Sequence, residues 1–180
     1  HPKRGMVSPA TFIPIAERAG LIGHLGASVL ERACHQVQSW RRTRKDLVGL
    51  VIAVNVSAFQ LADDTFVATV EQILNRTVLP ARNLCLEVTE SAVMADPEVA
   101  VAQLRRLRDL GVAIALDDFG TGHSSFAQLT RLPLDLLKID RAFVADMTQD
   151  ARSRQLVDGM IHLAHVLGLT VIAEGVETHE

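Results

Sequence analysis

Five short apolar runs, rich in β-branched residues, punctuate the chain, and each ends in an acid, an amide or a lysine. VIAVN closes on Asn55, LCLEVTE carries Glu87 and Glu90, and VAIALDD closes on Asp117 and Asp118; LDLLKID carries Lys138 and Asp140, and LTVIAEG carries Glu174. Near-continuous apolar runs of this length predict strands buried on both faces of a parallel sheet. The stretches between them are long enough to serve as helical crossovers. The strand-to-strand period of roughly 30 residues is that of βα units.

Helix signals fill the intervals. Ser8-Pro9 predicts a short helix running through Glu17 and Arg18 and stopping near Gly20. A long helix is expected from Gly23 to Arg42, with Leu25, Val29, Leu30, Ala33 and Val37 as its apolar stripe. Asp63 or Asp64 should cap a helix reaching Thr77, and Pro80 punctuates before the next strand. Asp96-Pro97 opens a helix that Gly111 stops, and Asp150 opens the last one, ending near Gly168. The basic run RRTRK at 41–45 reads as a solvated cap that suits a helix C-terminus.

Composition narrows the class of protein. A hydrophobic content of 48% and a charged content of 22% are ordinary for a globular domain of 180 residues. A net charge of −3, 4% aromatic residues and no tyrosine give no basic or stacking surface for nucleic acid, so neither DNA nor RNA is expected as a partner. Cys34 and Cys85 fall inside predicted elements and read as buried small hydrophobes of a reducing compartment. A cytoplasmic location is therefore expected, since no apolar run approaches the roughly 20 residues of a membrane span. Attachment of a parent protein through other regions stays open. His162 and His165 share a helix, but neither they nor His24, His35 or His179 is assigned as a metal ligand, and Trp40 is expected to cover the core.

The polar residues that finish the apolar runs carry the chemistry. A carboxylate or lysine at the end of a buried strand needs a partner, a metal or a reaction to offset its desolvation. In parallel barrels the active site lies at the C-terminal ends of the strands, where Asn55, Glu87, Asp117, Asp118, Lys138 and Glu174 are all placed. Oxygen donors without a Cys or His cluster suit Mg²⁺ or Mn²⁺. The adjacent pair Asp117 and Asp118 suits a two-metal site, with Lys138 as a fixed cation beside a phosphoryl group or attacking water. The glycine-rich FGTGHSS that follows is either a loop that closes on a phosphate or an ordinary βα turn. A closed eight-stranded barrel takes about 250 residues, so five strands mean an open doubly wound sheet or a barrel cut at both ends. The acidic tip of the final run favours the cut barrel. Phosphate ester hydrolysis fits the paired aspartates better than an enolase-like lyase or isomerase, which also uses strand-end acids and a lysine.

In this order and spacing, FIPIAERAGLI, NVS, LEVTES, LDDFGTGHSS, LPLDLLKID and IAEGVET resemble the EAL-type cyclic di-GMP phosphodiesterases over essentially the whole chain. The resemblance implies a TIM-type (β/α)8 barrel, present here as an incomplete barrel of about five βα units, with residues 1–180 forming an EAL domain truncated at both ends. It implies hydrolysis of the bacterial second messenger cyclic di-GMP to linear pGpG with two Mg²⁺ or Mn²⁺ ions. By resemblance, Asn55, Glu87, Asp117 and Asp118 are metal ligands, and Lys138 and Glu174 are catalytic through the attacking water. Glu90 braces the loop after the paired aspartates, and Glu177 is a secondary acid. The glutamate of the family's naming motif is expected upstream of His1. The resemblance also admits upstream sensor or cyclase domains and a homodimer. Its alternative reading is an inactive EAL module that senses cyclic di-GMP or binds a partner protein.

Overall fold

The computed structural model describes residues 3, 5–121, 126–147 and 150–176. Helices α1 (Pro9–Arg18) and α2 (Ile22–Thr43) precede strand β1 (Ile52–Val56). Helices α3 (Ala58–Leu61) and α4 (Phe66–Thr77) lead to β2 (Leu84–Thr89), and α5 (Glu90–Ala95) and α6 (Pro97–Asp109) to β3 (Ala113–Phe119). Helix α7 (Phe126–Leu129) leads to β4 (Leu136–Ile139), and α8 (Arg141–Ala145) and α9 (Ala151–Val166) to β5 (Thr170–Ala173).

All four strand pairings are parallel, and the spatial order is β1-β2-β3-β4-β5. That order decides between the two architectures open to the sequence. A doubly wound sheet reverses its winding and takes helices on both faces, whereas this sheet advances in one direction, as the wall of a barrel does. The chain thus has the α/β fold expected, and the five strands of the described residues follow one another as in part of a barrel wall.

Burial on both faces, as expected, holds for β2, β3 and β4, whereas β1 and β5 are exposed on at least one face. The core takes alternate strand residues: Val54 and Val56 from β1, Leu84, Leu86 and Val88 from β2, Ile114 and Leu116 from β3, Leu137 and Ile139 from β4. They meet Leu30 and Val37 of α2, Val70 and Ile73 of α4, Leu104 and Leu107 of α6, and Val157 and Ala164 of α9. The residues in between point to the opposite face, and apart from Leu136 they are small or polar: Ala53, Asn55, Cys85, Glu87, Ala113, Ala115, Asp117 and Lys138. The strands are therefore two-sided, and the apparently continuous apolar runs owe their look to alanines and cysteine on the second face. Across that face, pairing aligns Asn55 with Glu87, Glu87 with Ala115 and Ala115 with Leu136, while Thr89 faces Asp117.

Capping follows the sequence at several ends and departs from it at others. Asp96 accepts from the Val99 amide, and Asp150 from the Arg152 and Ser153 amides, as their positions predict. Asp63 instead accepts from the amide and hydroxyl of Thr65, one turn ahead of α4, whose N-cap is Thr65 itself. Ser57 and Gln60 close a reciprocal capping box on α3. Cys34 and Cys85 are buried as expected, and burial, with Glu31 beside the first and Glu87 beside the second, pushes both thiols up to about 11. Trp40 does not cover the core; it remains 44% exposed. No helix among the described residues is long and apolar enough to cross a membrane.

Val78 ends α4 in the left-handed conformation at φ 57°, although it is β-branched and 62% exposed. Glycine takes this C-terminal position without the Cβ penalty of about 1–2 kcal/mol. Val78→Gly is expected to stabilise the fold by about 1 kcal/mol after the added flexibility of the unfolded chain is counted. Urea unfolding checks this, and a lower midpoint at unchanged slope would refute it.

Candidate functional site

Register brings the strand-end residues together. Glu87 projects from β2, Asp117 from β3 and Lys138 from β4, each on the small and polar face, while Glu174 immediately follows β5. The Glu174 amide donates to the Ile139 carbonyl at 3.1 Å, so this residue is still held by strand pairing. Lys138 Nζ lies 2.9 Å from Glu87 Oε1, 2.9 Å from Asp117 Oδ1 and 2.6 Å from Glu174 Oε1. Glu87, Asp117 and Lys138 are all buried to within a tenth of their surface. An ammonium has three donors, and here three carboxylates from three different strand ends receive them. Burial by itself would lower the Lys138 pKa, but hydrogen bonds to Glu174, Glu87 and Asp117 outweigh it and hold the group above its ordinary value.

The two adjacent aspartates are brought to one site by a break in the strand. In regular β-structure neighbouring side chains point to opposite faces. Between Leu116 and Phe119 the register with β4 shifts, and Asp118 adopts φ 55°. Asp is among the few residues that tolerate this left-handed conformation. As a result, one oxygen from each of Asp117, Asp118 and Glu174 falls within 4.8 Å of the others. The Asp118 amide donates to Asp117 Oδ1 at 3.1 Å, which fixes the orientation of the pair. Desolvation, followed by the nearby charges of Asp117, Asp140 and Glu174, raises the pKa of Asp118.

Glycines make the loops around these acids possible. Gly120 has φ 97°, and a Cβ there would lie 2.8 Å from both Met160 Cε and Phe143 Cε2. Its amide donates to Oε2 of the buried Glu90 at 3.4 Å, placing that acid against the loop that follows the paired aspartates. Gly175, directly after Glu174, has φ 74°, and a Cβ there would approach Arg141 Cβ to 2.7 Å.

The remaining sequence candidates divide clearly. Asn55 is aligned with Glu87 but lies on the exposed side of β1, where it lines a cavity of about 700 Å³ bounded by Phe12, Leu25 and Val29 of the first two helices. Glu87 joins the site through Lys138 and stands outside the three-carboxylate group. Glu177 and residues 122–125 of the FGTGHSS loop lie outside the described residues. Asp140 was legible only as the end of an apolar run. It caps α8 by accepting from the Ala142 amide at 2.7 Å, and its nearby carboxyl helps to raise the pKa of Asp118. Its place two residues beyond Lys138, on the strand-end row of acids, was the signal that could have marked it.

This donor set fits a hard divalent cation. Asp117, Asp118 and Glu174 offer carboxylate oxygens and no sulfur or imidazole, the ligand chemistry of Mg²⁺, Mn²⁺ or Ca²⁺. Crowded carboxylates also repel one another when no cation lies among them. Asp118→Asn keeps a side chain tolerant of the left-handed backbone and removes one of these charges. The variant is expected to melt above the wild type in EDTA, and divalent cations are expected to raise the melting temperature of the wild type more than that of the variant. Differential scanning fluorimetry reads both, and a lower melting point in EDTA would contradict the crowding argument.

Comparison with known proteins gives this geometry a family. The family model for the EAL domain matches residues 1–180. The chain is 42% identical over 178 residues, 99% of its length, to the bifunctional diguanylate cyclase/cyclic di-GMP phosphodiesterase MucR of Pseudomonas aeruginosa, of which it covers 26%. It is 43% identical, again over 99% of its length, to the cyclic di-GMP phosphodiesterase NbdA of the same organism, of which it covers 22%. Among solved structures it resembles the PaMucR phosphodiesterase in complex with c-di-GMP, with a TM-score of 0.92 and 41% identity over 99% of this chain and 72% of that one. The EAL enzyme Bd1971 in its cAMP- and cyclic-di-GMP-bound form superimposes with a TM-score of 0.91 and 36% identity, covering 99% of this chain and 49% of that one. The chain spans about a quarter of the length of the curated relatives it matches. With the whole chain matched and the strand-end acids converging on one lysine, it belongs to the EAL domain family.

Proposed function

We propose that this chain carries the catalytic centre of a metal-dependent phosphodiesterase that hydrolyses cyclic di-GMP to linear pGpG. The observation that carries this reading is the meeting of Glu87, Asp117 and Glu174 on Lys138, with Asp118 turned into the same site by the break in β3. The relatives named for cyclic di-GMP chemistry support the choice of substrate. Activity, substrate and partners, including sensor or cyclase domains in a longer protein, are part of the same proposal.

Asp117, Asp118 and Glu174 would hold Mg²⁺ or Mn²⁺, and Glu87 and Asn55 would extend the donor set towards a second ion. When bound, such ions activate water at neutral pH and neutralise charge on the phosphoryl oxygens. Lys138 stays protonated near neutral pH, so it offers N–H donors to an attacking water or a phosphoryl oxygen and does not act as a base. Glu174 sits at the rim, with about a third of its side chain exposed, where a carboxylate can orient an incoming water. Glu90, at the Gly120 amide, holds the backbone that sets the conformation of Asp118.

The test is conversion of cyclic di-GMP to pGpG by the full-length protein, with Mg²⁺ or Mn²⁺ supplied or chelated, beside a Glu174→Ala variant. Turnover is expected only with the metal, and Glu174→Ala is expected to lower kcat by about a hundredfold or more. Turnover in EDTA, or a variant as fast as the wild type, would overturn the mechanism. Nucleotide binding without turnover would make the domain a cyclic di-GMP sensor.

A further inference from the structure

The metal-fitting group and the lysine share their carboxylates. Asp117 and Glu174 belong to the three acids whose oxygens lie within 4.8 Å of one another, and both also receive Lys138 Nζ, at 2.9 Å and 2.6 Å. Glu87 receives the same ammonium at 2.9 Å but lies outside the three-acid group. The three contacts use every donor of the ammonium. A divalent ion ligated by oxygens of Asp117 and Glu174 would sit a few ångströms from a like charge, in a site where Lys138 and Asp117 are buried. Each carboxylate has a second oxygen to offer, but two cations a few ångströms apart repel one another, so ion and ammonium weaken each other's hold on these two acids.

We propose that Lys138 is a built-in competitor for the catalytic metal: its ammonium holds Asp117 and Glu174 in the divalent ion's stead, and entry of the ion moves Nζ off these two acids while Glu87 remains its anchor. This inference rests on the metal-dependent reading above. The lysine keeps the acids assembled without a divalent ion, and it sets metal affinity below that of the carboxylates alone. Release from Asp117 and Glu174 also frees two ammonium donors for water or phosphate. Metal entry and arming of the lysine are then one event, so the metal-loaded site is the one in which Lys138 can serve the reaction.

Calorimetric titration of Mn²⁺ into the full-length protein and its Lys138→Met variant tests the competition. The variant is expected to bind Mn²⁺ about tenfold more tightly, a factor equivalent to 1.4 kcal/mol. Because removing one partner of a buried ion cluster can itself unfold the chain, a second measurement uses the wild type alone. During a Mg²⁺ titration the ¹⁵Nζ resonance of Lys138 is expected to shift or exchange away, saturating with the bound metal. Equal or weaker Mn²⁺ binding by a folded variant, or an unmoved lysine resonance while Mg²⁺ binds, would overturn the competition and leave the metal-dependent hydrolase intact. Failure of wild type and variant alike to bind divalent cations would overturn both.

Discussion

The ion cluster around Lys138 is the constraint on which the small and polar face of the sheet depends. Glu87 and Asp117 are too deeply placed to be left as isolated charges, and so is the lysine. Each ion is tolerable because the others are present, and removing one leaves uncompensated charge behind. Lys138 reaches partners on β2, on β3 and just past β5, so one ammonium ties together residues separated by most of the described sheet. Such a cluster is weak evidence for high stability, yet it fixes one arrangement of strand ends against others.

The parallel winding makes the cluster possible. Successive strands in the order β1 to β5 carry their C-terminal ends to the same edge, and alternate residues send apolar side chains to the helices and polar ones to the opposite face. In the lower row the polar-side positions are the small Ala53, Cys85 and Ala113; in the next, Asn55 and Glu87 align with Ala115 and Leu136, and Asp117 and Lys138 lie one step beyond on their strands. The ends of β3 and β4 are held at the opposite edge by Asp135. It accepts from the Ile114 amide at 2.9 Å and pairs with Arg108 at 3.0 Å. The chemistry at one edge thus rests on register secured at the other.

The paired aspartates show how a local backbone exception becomes a functional feature. A regular strand would have sent Asp117 and Asp118 to opposite faces, and only one could have joined the site. The left-handed turn at Asp118 redirects the second, and Glu90, Gly120 and the neighbouring Phe143 and Met160 determine the path of the chain beyond it. Its cost is carried by a residue type that accepts positive φ, followed by a glycine that accepts it freely. The same loop geometry brings Asp140 to Asp118 although both are acids, a crowding that a cation in the site would relieve.

Sequence alone determined the order of the strands and longer helices, most of those helices' ends and the row of polar residues at the strand ends, because hydrophobic periodicity and capping chemistry are local properties; the short helices α3, α5 and α8 it did not mark. Asp96 and Asp150 as caps, Lys138 as a lone cation among acids and the family motifs were all legible in this way. Tertiary structure decided the winding of the sheet and the sidedness of its strands, since alanine and cysteine read as core whichever face they occupy. It also decided which polar residues meet. Asn55 and Asp117 look equivalent in sequence and share one face of the sheet, yet Asn55 is exposed on the first strand and Asp117 is buried in the ion cluster. Neither the convergence of three carboxylates on Lys138 nor the turning of Asp118 could be read from spacing, because both arise from pairing between residues far apart in the chain and from a single backbone angle.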